Sequence, residues 1–542
     1  MGQMKKVTAD AVYINGTVYT MDTCVPKASC LAVKEDRIVY VGGKVQADFF
    51  IGENTEVIDL EGKSVYPGFH ESHMHLQMYA EGLLQVDVFC KSKEEILRNV
   101  AEAAQNAGPG EWIRGMGWSE QFWDEKIFPV KEELDAVSMD HPVYLERFGG
   151  HMVWVNSKAL ELAGITEAVQ DPQGGEYLRD QNGKLTGCLN DRAVDPVELV
   201  IPPVSKEKLM DAVLKTQKEL LSYGVTSFGD LMATDDFLDL MEGLYQSGEF
   251  KIRGYYALTG PSTTSTNEQL ERWYQSGPCI GAYGNRYTVR SVKLFADGSL
   301  GARSAALFED YADRPGWKGK LLSTDEQLFD IVDIAVEHGF QVITHSIGDR
   351  ANEQVLNIYT KVIEKNRLVD ARMRIEHFQV ICEDHPTRIL EAGILPSMQA
   401  TNATFNYPMP DARLGQERVS RAYAWRKVLD AGNIIAGGTD APITTVNPLV
   451  EIHSAVARKN DQCVPAEGWE MENAVTRSEA LLSQTLWAAY ATFEEDRKGS
   501  LMPGKLADFV VTDKDIMECL IDEIKDIRVL RTVIGGEPVY QA

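Results

Sequence analysis

The sequence lacks the paired cysteines that mark a zinc ribbon or a disulfide scaffold. Its eight cysteines are scattered along 542 residues, and no two of them form a C-x-x-C pair. Scattered cysteines of this kind are typical of reduced, mostly buried thiols rather than of a disulfide framework. We therefore expect reduced thiols and a cytoplasmic location.

Positive charge and long apolar runs are also scarce. The chain has 54 lysines and arginines against 81 aspartates and glutamates, which gives a formal net charge of −27. This charge argues against nucleic acid or an anionic membrane as a partner. No stretch reaches the roughly 18 consecutive apolar residues that a membrane span needs, and the N-terminus lacks the apolar segment of a signal peptide. We expect a small molecule as the substrate and leave a homodimer open as the assembly.

Both ends of the chain have the pattern of short β-strands. The first 65 residues show alternating apolar residues separated by Asn-Gly and Gly-Gly turns, and the last 40 return to the same pattern. Such turns between β-branched runs predict hairpins. We expect one small β-sandwich built from residues 1–67 and 499–542.

The middle of the chain alternates helices with strands. One unit runs from a helix, with Ser323 and Glu326 as its expected capping box, into the apolar strand FQVITHS, and similar units follow it. Repeated helix–strand units predict a parallel sheet, and at this length a (β/α)8 TIM-type barrel over residues 68–498 is favoured over a doubly wound sheet. The stretch of about 80–205 is rich in Trp, Gly and Asp and lacks this rhythm. We expect it to be an insertion that covers the barrel mouth.

Histidines cluster where the first barrel strand is expected to end. His70, His73 and His75 fall within six residues of a chain that has only ten histidines. Residues two apart in a strand share a face, so His73 and His75 would both point into the barrel mouth, where the active sites of such barrels lie. Imidazole nitrogen suits zinc and similar ions. A His-x-His pair alone is weak evidence, because polar residues also end strands for structural reasons.

Later strand ends carry further groups that can bind a metal. His345, His377 and Asp440 each follow an apolar run. Lys293 lies inside the apolar strand SVKLF, where an ammonium group would be buried in the barrel. Two interpretations of this lysine stay open. Its side chain could extend to solvent, or carbamylation by CO₂ could convert it into a bidentate carboxylate that bridges two metal ions.

The order His-x-His, Lys, His, His, Asp on successive strands resembles the metal-dependent amidohydrolase superfamily. The stretches VKLFADGSLGARSAAL, GGHMVWVNSKAL, GVTSFGDL and GSLMPGKLADFVV resemble its D-aminoacylase and N-substituted formamide deformylase branch, and the resemblance covers essentially the whole chain. It implies a metal-dependent hydrolase of carbon–nitrogen bonds other than peptide bonds, with a linear amide such as an N-substituted formamide or an N-acyl amine as the favoured substrate. Cyclic amide opening or deamination at the same centre, and a non-catalytic regulatory role, stay open as alternatives.

The resemblance also implies a set of metal ligands. They would hold one or two divalent ions, with zinc favoured, and carbamylated Lys293 would bridge the pair. Asp440 would be both a ligand and the proton shuttle between the attacking water and the leaving amine. The implied ligands are His73, His75, Lys293, His345, His377 and Asp440.

The chain departs from the family pattern at three positions. Glu71 stands where the family usually has an aspartate and is one methylene longer, so we expect a small shift if it orients a ligand. Ala400 and Asn402 stand where relatives often carry proline and histidine. Substrate contacts at these two positions are therefore open.

Two residues are candidates for substrate contact, and each has a structural alternative. His151 lies in the expected insertion and could contact the substrate or make a structural hydrogen bond. Arg303 follows the Lys293 strand in a glycine-rich loop. It could hold a substrate carboxylate through two parallel hydrogen bonds, or it could pair with a surface aspartate. The histidines to which we assign no site role are His70, His141, His338, His385 and His453.

Overall fold

The chain divides into two compact units in the computed structural model. One unit comprises Met1–Gln77 and Leu214–Ala542, and the other comprises Met78–Val213. The sequence-based boundaries of the sandwich, barrel and insertion stay predictions. The structure describes residues 8–90, 92–120, 123–147, 152–172, 175–261 and 266–542.

The larger unit contains a parallel sheet of eight strands that is nearly closed into a barrel, which confirms the predicted fold class. Each strand pairs in parallel with the next one along the chain. Numbered first to eighth, these barrel strands are Phe69–Met74, Val225–Ala233, Arg253–Thr259, Tyr287–Phe295, Gln341–Ser346, Arg374–His377, Leu395–Met398 and Ala436–Gly437.

Two backbone hydrogen bonds join the chain after the eighth strand to the end of the first. The N–H of Asp440 donates to the His73 carbonyl at 2.8 Å, and the N–H of His75 donates to the Ala441 carbonyl at 2.8 Å. These bonds therefore hold His73 and His75 next to Asp440 and Ala441, although the two pairs are hundreds of positions apart in the sequence.

Helices connect the barrel strands and surround them. The helix Asp325–Glu337 begins one residue later than expected, because its capping box is formed by Thr324 and Gln327 rather than by Ser323 and Glu326. Both pairs have the same sequence spacing, so the pattern alone could not separate them. The longer helices of this unit include Asp235–Ser247, Glu268–Ser276, Asp325–Glu337, Asp349–Asn366, His385–Ala392 and Pro448–Ala457, and the shorter ones include Ala400–Phe405, Met409–Leu414, Trp425–Asp430, Arg477–Ser483 and Leu486–Ala491.

The two chain ends share one hydrophobic core. The ring of Tyr13 packs edge-on against Phe509 with centroids 5.0 Å apart, and Val18 and Val533 belong to the same buried cluster. One sheet has the strands Ala11–Ile14, Cys30–Lys34, Arg37–Gly42 and Glu56–Asp59. The other has Thr17–Tyr19, Lys27–Ala28, Ser64–Pro67, Phe509–Thr512, Val529–Ile534 and Glu537–Gln541.

The smaller unit is more regular than its sequence suggested. A five-stranded sheet packs around a core that includes Trp118 and Trp154, both of which are buried. Its aromatic and glycine-rich composition masked the short strands. These strands are Ile113–Trp118, Val143–Arg147, Met152–Val155, Gly175–Arg179 and Leu185–Asp191, and the main helices are Lys93–Asn106, Lys131–Asp135 and Ser157–Leu162.

No helix among the described residues has the length and apolar character required to cross a membrane.

Candidate metal centre

Where the barrel closes, the side chains of two histidines lie next to one carboxylate. His73 is the penultimate residue of the first strand and its side chain is fully buried, and its Nε2 lies 3.2 Å from Asp440 Oδ1. His75 follows the same strand, and its Nε2 lies 3.3 Å from that oxygen. The side chains of the His-x-His pair therefore converge on Asp440, as expected for two residues on one face of a strand.

His377 completes a tight group of ligand atoms. One ligand atom from each of His73, His377 and Asp440 lies within 4.8 Å of the others. His377 has a backbone φ of 74° and Asp440 a φ of 61°, in the left-handed region that residues with a side chain rarely adopt. Strained backbone of this kind is concentrated at functional sites, where the surrounding structure enforces it.

The other predicted ligands line the same cavity. This cavity of about 370 Å³ is bordered by His75, Lys293, His345, His377 and Asp440. The rings of His345 and His377 are 4.6 Å apart between centroids. The structure thus brings all six predicted ligand residues to one end of the barrel: five line the cavity, and His73 lies 3.2 Å from Asp440. Their role as ligands stays a prediction.

Burial keeps the imidazoles in the form that binds metal. Removal from water lowers the pKa of His75 and His345, and it lowers the pKa of His377 to about 3. Burial alone would raise the pKa of Asp440, but the neighbouring His73, His75 and His377 side chains hold it well below its usual value. Neutral imidazoles and an ionised carboxylate are the protonation states that metal binding requires.

Unsatisfied nitrogen atoms support the fit of a divalent ion. The Nε2 atoms of His73 and His345 are buried and have no hydrogen-bond partner within the described ranges. Buried polar groups are normally paired. Nitrogen and oxygen donors of this set suit zinc and similar ions, so the residues present fit the metal that the sequence predicted.

Lys293 is buried among these groups. Its burial lowers the pKa of the ammonium to about 8, against the opposing effect of the Glu376 and Asp440 carboxylates. A lysine of lowered pKa is partly neutral near physiological pH. The side chain does not extend to solvent, so the first of the two interpretations of this residue is wrong.

Glu376 orients His73, and sequence analysis missed it. Glu376 Oε2 lies 2.6 Å from His73 Nδ1, which donates its proton to the carboxylate and leaves Nε2 free. Burial alone would raise the pKa of Glu376, but the buried guanidinium of Arg374 and the bond to His73 hold it well below its usual range. Carboxylates that fix a ligating imidazole in this way are a common second layer of metal sites.

Two more buried side chains support the ligands. Gln399 Oε1 accepts from His377 Nδ1 at 2.8 Å. Glu71 accepts from the backbone N–H of His73 at 3.0 Å and from that of Thr439 at 2.9 Å. The side chain of Glu71 therefore connects the backbone at the end of the first barrel strand to the backbone just after the eighth.

Asp297 fixes the loop after the Lys293 strand. Its carboxylate accepts from the backbone N–H groups of Ala306, Ile347 and Gly348 at 2.8, 3.0 and 2.8 Å. A side chain at Gly348 would meet the Ala306 carbonyl at 2.0 Å, so only glycine permits this close approach. The segment after His345 is thereby attached to the loop that follows Lys293.

The structure places the candidate substrate-contact residues differently. Arg303 makes two hydrogen bonds with Asp313, at 3.0 Å from Nε and 2.8 Å from Nη2, which is the surface pairing that the sequence left open. Its substrate role stays a prediction. His151 lies outside the described residues. Asn402 lines the cavity, and its buried Oδ1 has no partner within the described part of the chain.

Comparisons with known proteins agree with this arrangement. The family model described as "Amidohydrolase family" matches residues 56–540. LONG AFTER FAR-RED 3 from Arabidopsis thaliana is 34% identical over 98% of this chain and 92% of its own length. N-substituted formamide deformylase from Arthrobacter pascens is 26% identical over 98% of both chains.

A solved structure extends the similarity to the fold. A metal-dependent hydrolase from Pyrococcus furiosus is 29% identical, with a TM-score of 0.76 over 94% of this chain and 100% of that one. A family match across nearly the whole chain coincides with a barrel whose strand ends carry the expected imidazole and carboxylate groups. The chain therefore belongs to the amidohydrolase family.

Proposed function

We propose that the protein hydrolyses the carbon–nitrogen bond of a linear amide, such as an N-substituted formamide or an N-acyl amine. The observation that carries this proposal is the convergence of His73 and His75 on Asp440 at the carboxyl ends of the barrel strands, where the Nε2 atom of each histidine lies within 3.3 Å of Asp440 Oδ1. The similarity to an N-substituted formamide deformylase supports the choice of a linear amide.

The residues of the centre would hold one or two divalent ions, with zinc favoured. Four histidines and Asp440 would supply the ligands, and a carbamylated Lys293 would bridge. When bound, such an ion lowers the pKa of a water molecule toward neutrality and polarises the substrate carbonyl. The lowered pKa of the lysine supports carbamylation, because only the neutral amine adds to CO₂.

Asp440 is suited to move the proton. Its Oδ1 is engaged by His73 and His75, while its Oδ2 is 4.0 Å from His377 Nδ1. We infer that Oδ2 accepts the proton of the attacking water and passes it to the leaving amine nitrogen, acting first as a general base and then as a general acid.

The cavity wall favours an uncharged, apolar substituent. Phe295, Leu300, Met409 and Ile443 contribute apolar surface. Among the described residues that line the cavity, the only lysine or arginine is Lys293. An N-acyl amino acid would place its carboxylate there without a free cation to pair with it, so a neutral N-substituent fits better.

A substrate panel tests this function. Full-length, metal-loaded protein is incubated with N-benzylformamide, an N-acyl amino acid, a hydantoin and an aminopurine, and the released amine or ring-opened product is measured. We expect amine release from N-benzylformamide, and release slower by at least about 100-fold from Asp440→Asn protein. Turnover of only the hydantoin or the aminopurine would move the assignment to cyclic amide opening or deamination. No turnover at full metal content would favour a regulatory protein.

A further inference from the structure

Three side chains with different donor atoms meet away from the barrel cavity. His453 lies in the helix Pro448–Ala457, Cys463 in the loop that follows it, and Asp522 in the 3-10 helix Ile521–Asp526. One ligand atom from each residue lies within 4.8 Å of the others, and His453 Nε2 is 3.2 Å from Asp522 Oδ1. We propose that His453, Cys463 and Asp522 form a second metal site, for a borderline ion such as Zn²⁺.

The state of the His453 and Asp522 side chains suits this role. The His453 side chain is fully buried, and burial lowers its pKa below the usual value, so the imidazole is neutral at neutral pH. Burial alone would raise the pKa of Asp522, but the hydrogen bonds from His453 and Lys459 hold it below the usual value, so the carboxylate is ionised. The observation that carries the site is geometric: His453 Nε2 approaches Asp522 Oδ1 to 3.2 Å, with a ligand atom of Cys463 within 4.8 Å of theirs.

The third donor has no competing hydrogen bond. The Cys463 thiol makes no disulfide, and within the described ranges it makes no side-chain hydrogen bond. Lys525 interacts electrostatically with the thiol. The His453 Nδ1 atom is also buried without a partner among the residues that the structure describes.

The loop that carries Cys463 is held in one conformation. The Asn460 side chain accepts from the backbone N–H groups of Gln462 and Val464 at 3.0 and 2.9 Å. The N–H of Cys463 donates to the Asn460 carbonyl at 2.9 Å, and its own φ of 59° is left-handed. Because these three hydrogen bonds fix the backbone at Cys463, its thiol needs little reorganisation to coordinate an ion.

The donor set determines the class of ion. Imidazole, thiolate and carboxylate together suit zinc and related divalent ions better than magnesium or calcium, which prefer oxygen alone. Three protein ligands leave a fourth position for water. The Asp522 side chain is about half exposed, at 48%, so an ion can enter from solvent.

Lys459 is the natural competitor for this ion. Its Nζ lies 3.1 Å from Asp522 Oδ2 and 3.3 Å from Oδ1. It neutralises the carboxylate when no ion is bound, and an incoming cation at Asp522 meets its repulsion. Removal of the Lys459 charge should therefore strengthen metal binding at Asp522. If His453, Asp522 and Lys459 formed only a structural ion-pair network, the same change should instead lower the stability of the protein and leave metal binding unchanged.

The site would connect three chain segments and stabilise the helix that carries His453. The same helix carries Glu451, whose carboxylate accepts from the N–H groups of Ala400 and Thr401 next to Asn402 of the cavity. An ion that binds only the folded chain raises its stability. We therefore expect zinc to raise the unfolding temperature through this site, in addition to its effect at the barrel centre.

Cobalt absorption separates the two sites. Full-length protein is stripped with a chelator and titrated with Co²⁺, and the thiolate-to-cobalt charge-transfer band is followed in the near ultraviolet. None of the six residues proposed for the barrel centre is a cysteine, so this band reports cobalt bound to a thiolate and not cobalt at the barrel centre. We expect one band-forming cobalt per chain. Cys463→Ser should abolish the band, whereas the matched Cys519→Ser should keep it.

Two further variants sharpen the test. Asp522→Asn should weaken cobalt binding by about tenfold or more, and Lys459→Gln should strengthen it. Circular dichroism of the metal-free Cys463→Ser protein should match the parent, since the thiol makes no hydrogen bond that serine would break. The proposal is overturned if saturating Co²⁺ produces no thiolate band, or if the band survives Cys463→Ser.

Discussion

At the scale of the residue, the arrangement around His73 decides which nitrogen can bind a metal. Glu376 accepts a hydrogen bond from His73 Nδ1 at 2.6 Å, and Arg374 holds the carboxylate through an ion pair of 2.8 Å between Nε and Oε1. His73 is therefore fixed with Nε2 toward Asp440. The orientation of this predicted ligand therefore depends on a carboxylate that does not line the cavity.

Glu376→Gln should weaken metal binding while the fold persists. A neutral amide cannot hold the Nδ1 proton as strongly, so His73 would sample other orientations. We expect the metal affinity to fall by roughly 10- to 100-fold, measured by competition with a chelator of known affinity. Glu383→Gln changes an exposed glutamate near the same strand and should leave the affinity unchanged. Equal affinities for the two variants would contradict the role of Glu376.

Asp440→Asn should separate metal binding from chemistry. The substitution keeps the size and one oxygen ligand, but it removes the group that accepts the proton. We expect the turnover number for the amide to fall by about 10²–10⁴-fold, with a smaller change in KM and with metal still present by elemental analysis. Near-normal turnover with metal bound would show that another group moves the proton.

Each predicted ligand residue leaves a local signal in the sequence, so the residues that meet at this end of the barrel could be singled out. His345 and Asp440 are polar residues that end apolar runs, and Lys293 interrupts one. The supporting residues leave no such signal. Glu376 is 303 positions from its partner His73, and only the three-dimensional closure of the barrel reveals the pair.

At the scale of the element, a buried glutamate determines where the helix Ala400–Phe405 begins. Glu451 Oε1 accepts from the N–H of Ala400, and its Oε2 accepts from the N–H of Thr401 at 2.8 Å and from the Thr401 hydroxyl at 2.7 Å. Because both oxygens accept from N–H groups, the geometry requires a carboxylate, although burial raises the pKa of Glu451 to about 8.

Glu451→Gln should therefore destabilise the protein. The amide nitrogen of glutamine would face a backbone N–H and leave it without an acceptor, which costs about 1–3 kcal/mol for a buried donor. The free energy of unfolding in urea measures the loss. Glu417→Gln, at an exposed position, is the matched control and should change it by less than about 0.5 kcal/mol. Equal stability of Glu451→Gln and the parent protein would show that the carboxylate is protonated.

Elements with a strong periodic pattern were predictable, and those defined by distant contacts were not. The helix Asp325–Glu337 was expected from its apolar face, but its first residue was misplaced because Ser323 and Thr324 both begin a capping-box pattern. The five-stranded sheet of Met78–Val213 was missed. Its strands are short, and the sheet around Trp118 and Trp154 brings them together only in the folded unit.

At the scale of the whole molecule, one buried ion pair connects the barrel to the C-terminal strands. Arg253 begins the third barrel strand, and Asp508 immediately precedes the strand Phe509–Thr512. The guanidinium contacts the carboxylate at 2.7 Å from Nε and 2.9 Å from Nη2, and both side chains are 3% exposed. Asp508 also accepts from the N–H of Gly535 at 2.7 Å, so three distant segments meet at one carboxylate.

Removal of the carboxylate should cost far more than removal of a surface partner. Asp508→Asn leaves the buried Arg253 charge without compensation, so we expect a loss of about 3–5 kcal/mol of unfolding free energy. Asp513→Asn breaks the pair with Arg528, whose side chain is 78% exposed, and should cost about 1 kcal/mol or less. The double variant Arg253→Met/Asp508→Leu should recover most of the loss, because it removes both buried charges.

The contribution of this pair should also depend on pH in a defined direction. Burial alone would raise the pKa of Asp508, but Arg253 holds it below the value of 3.8 expected for the unfolded chain. As the pH falls, Asp508 therefore binds a proton in the unfolded state before it does so in the folded state. The stability that Asp508 supplies is fully present above about pH 4 and is lost as the pH falls through the lowered pKa. The stability difference between the parent protein and Asp508→Asn, measured by urea unfolding, should be constant from neutral pH down to about pH 5 and should shrink below pH 4. If the stability difference between the two proteins instead grew on acidification, Asp508 would be protonated in the folded protein. The contact between the barrel and the C-terminal strands would then not be an ion pair.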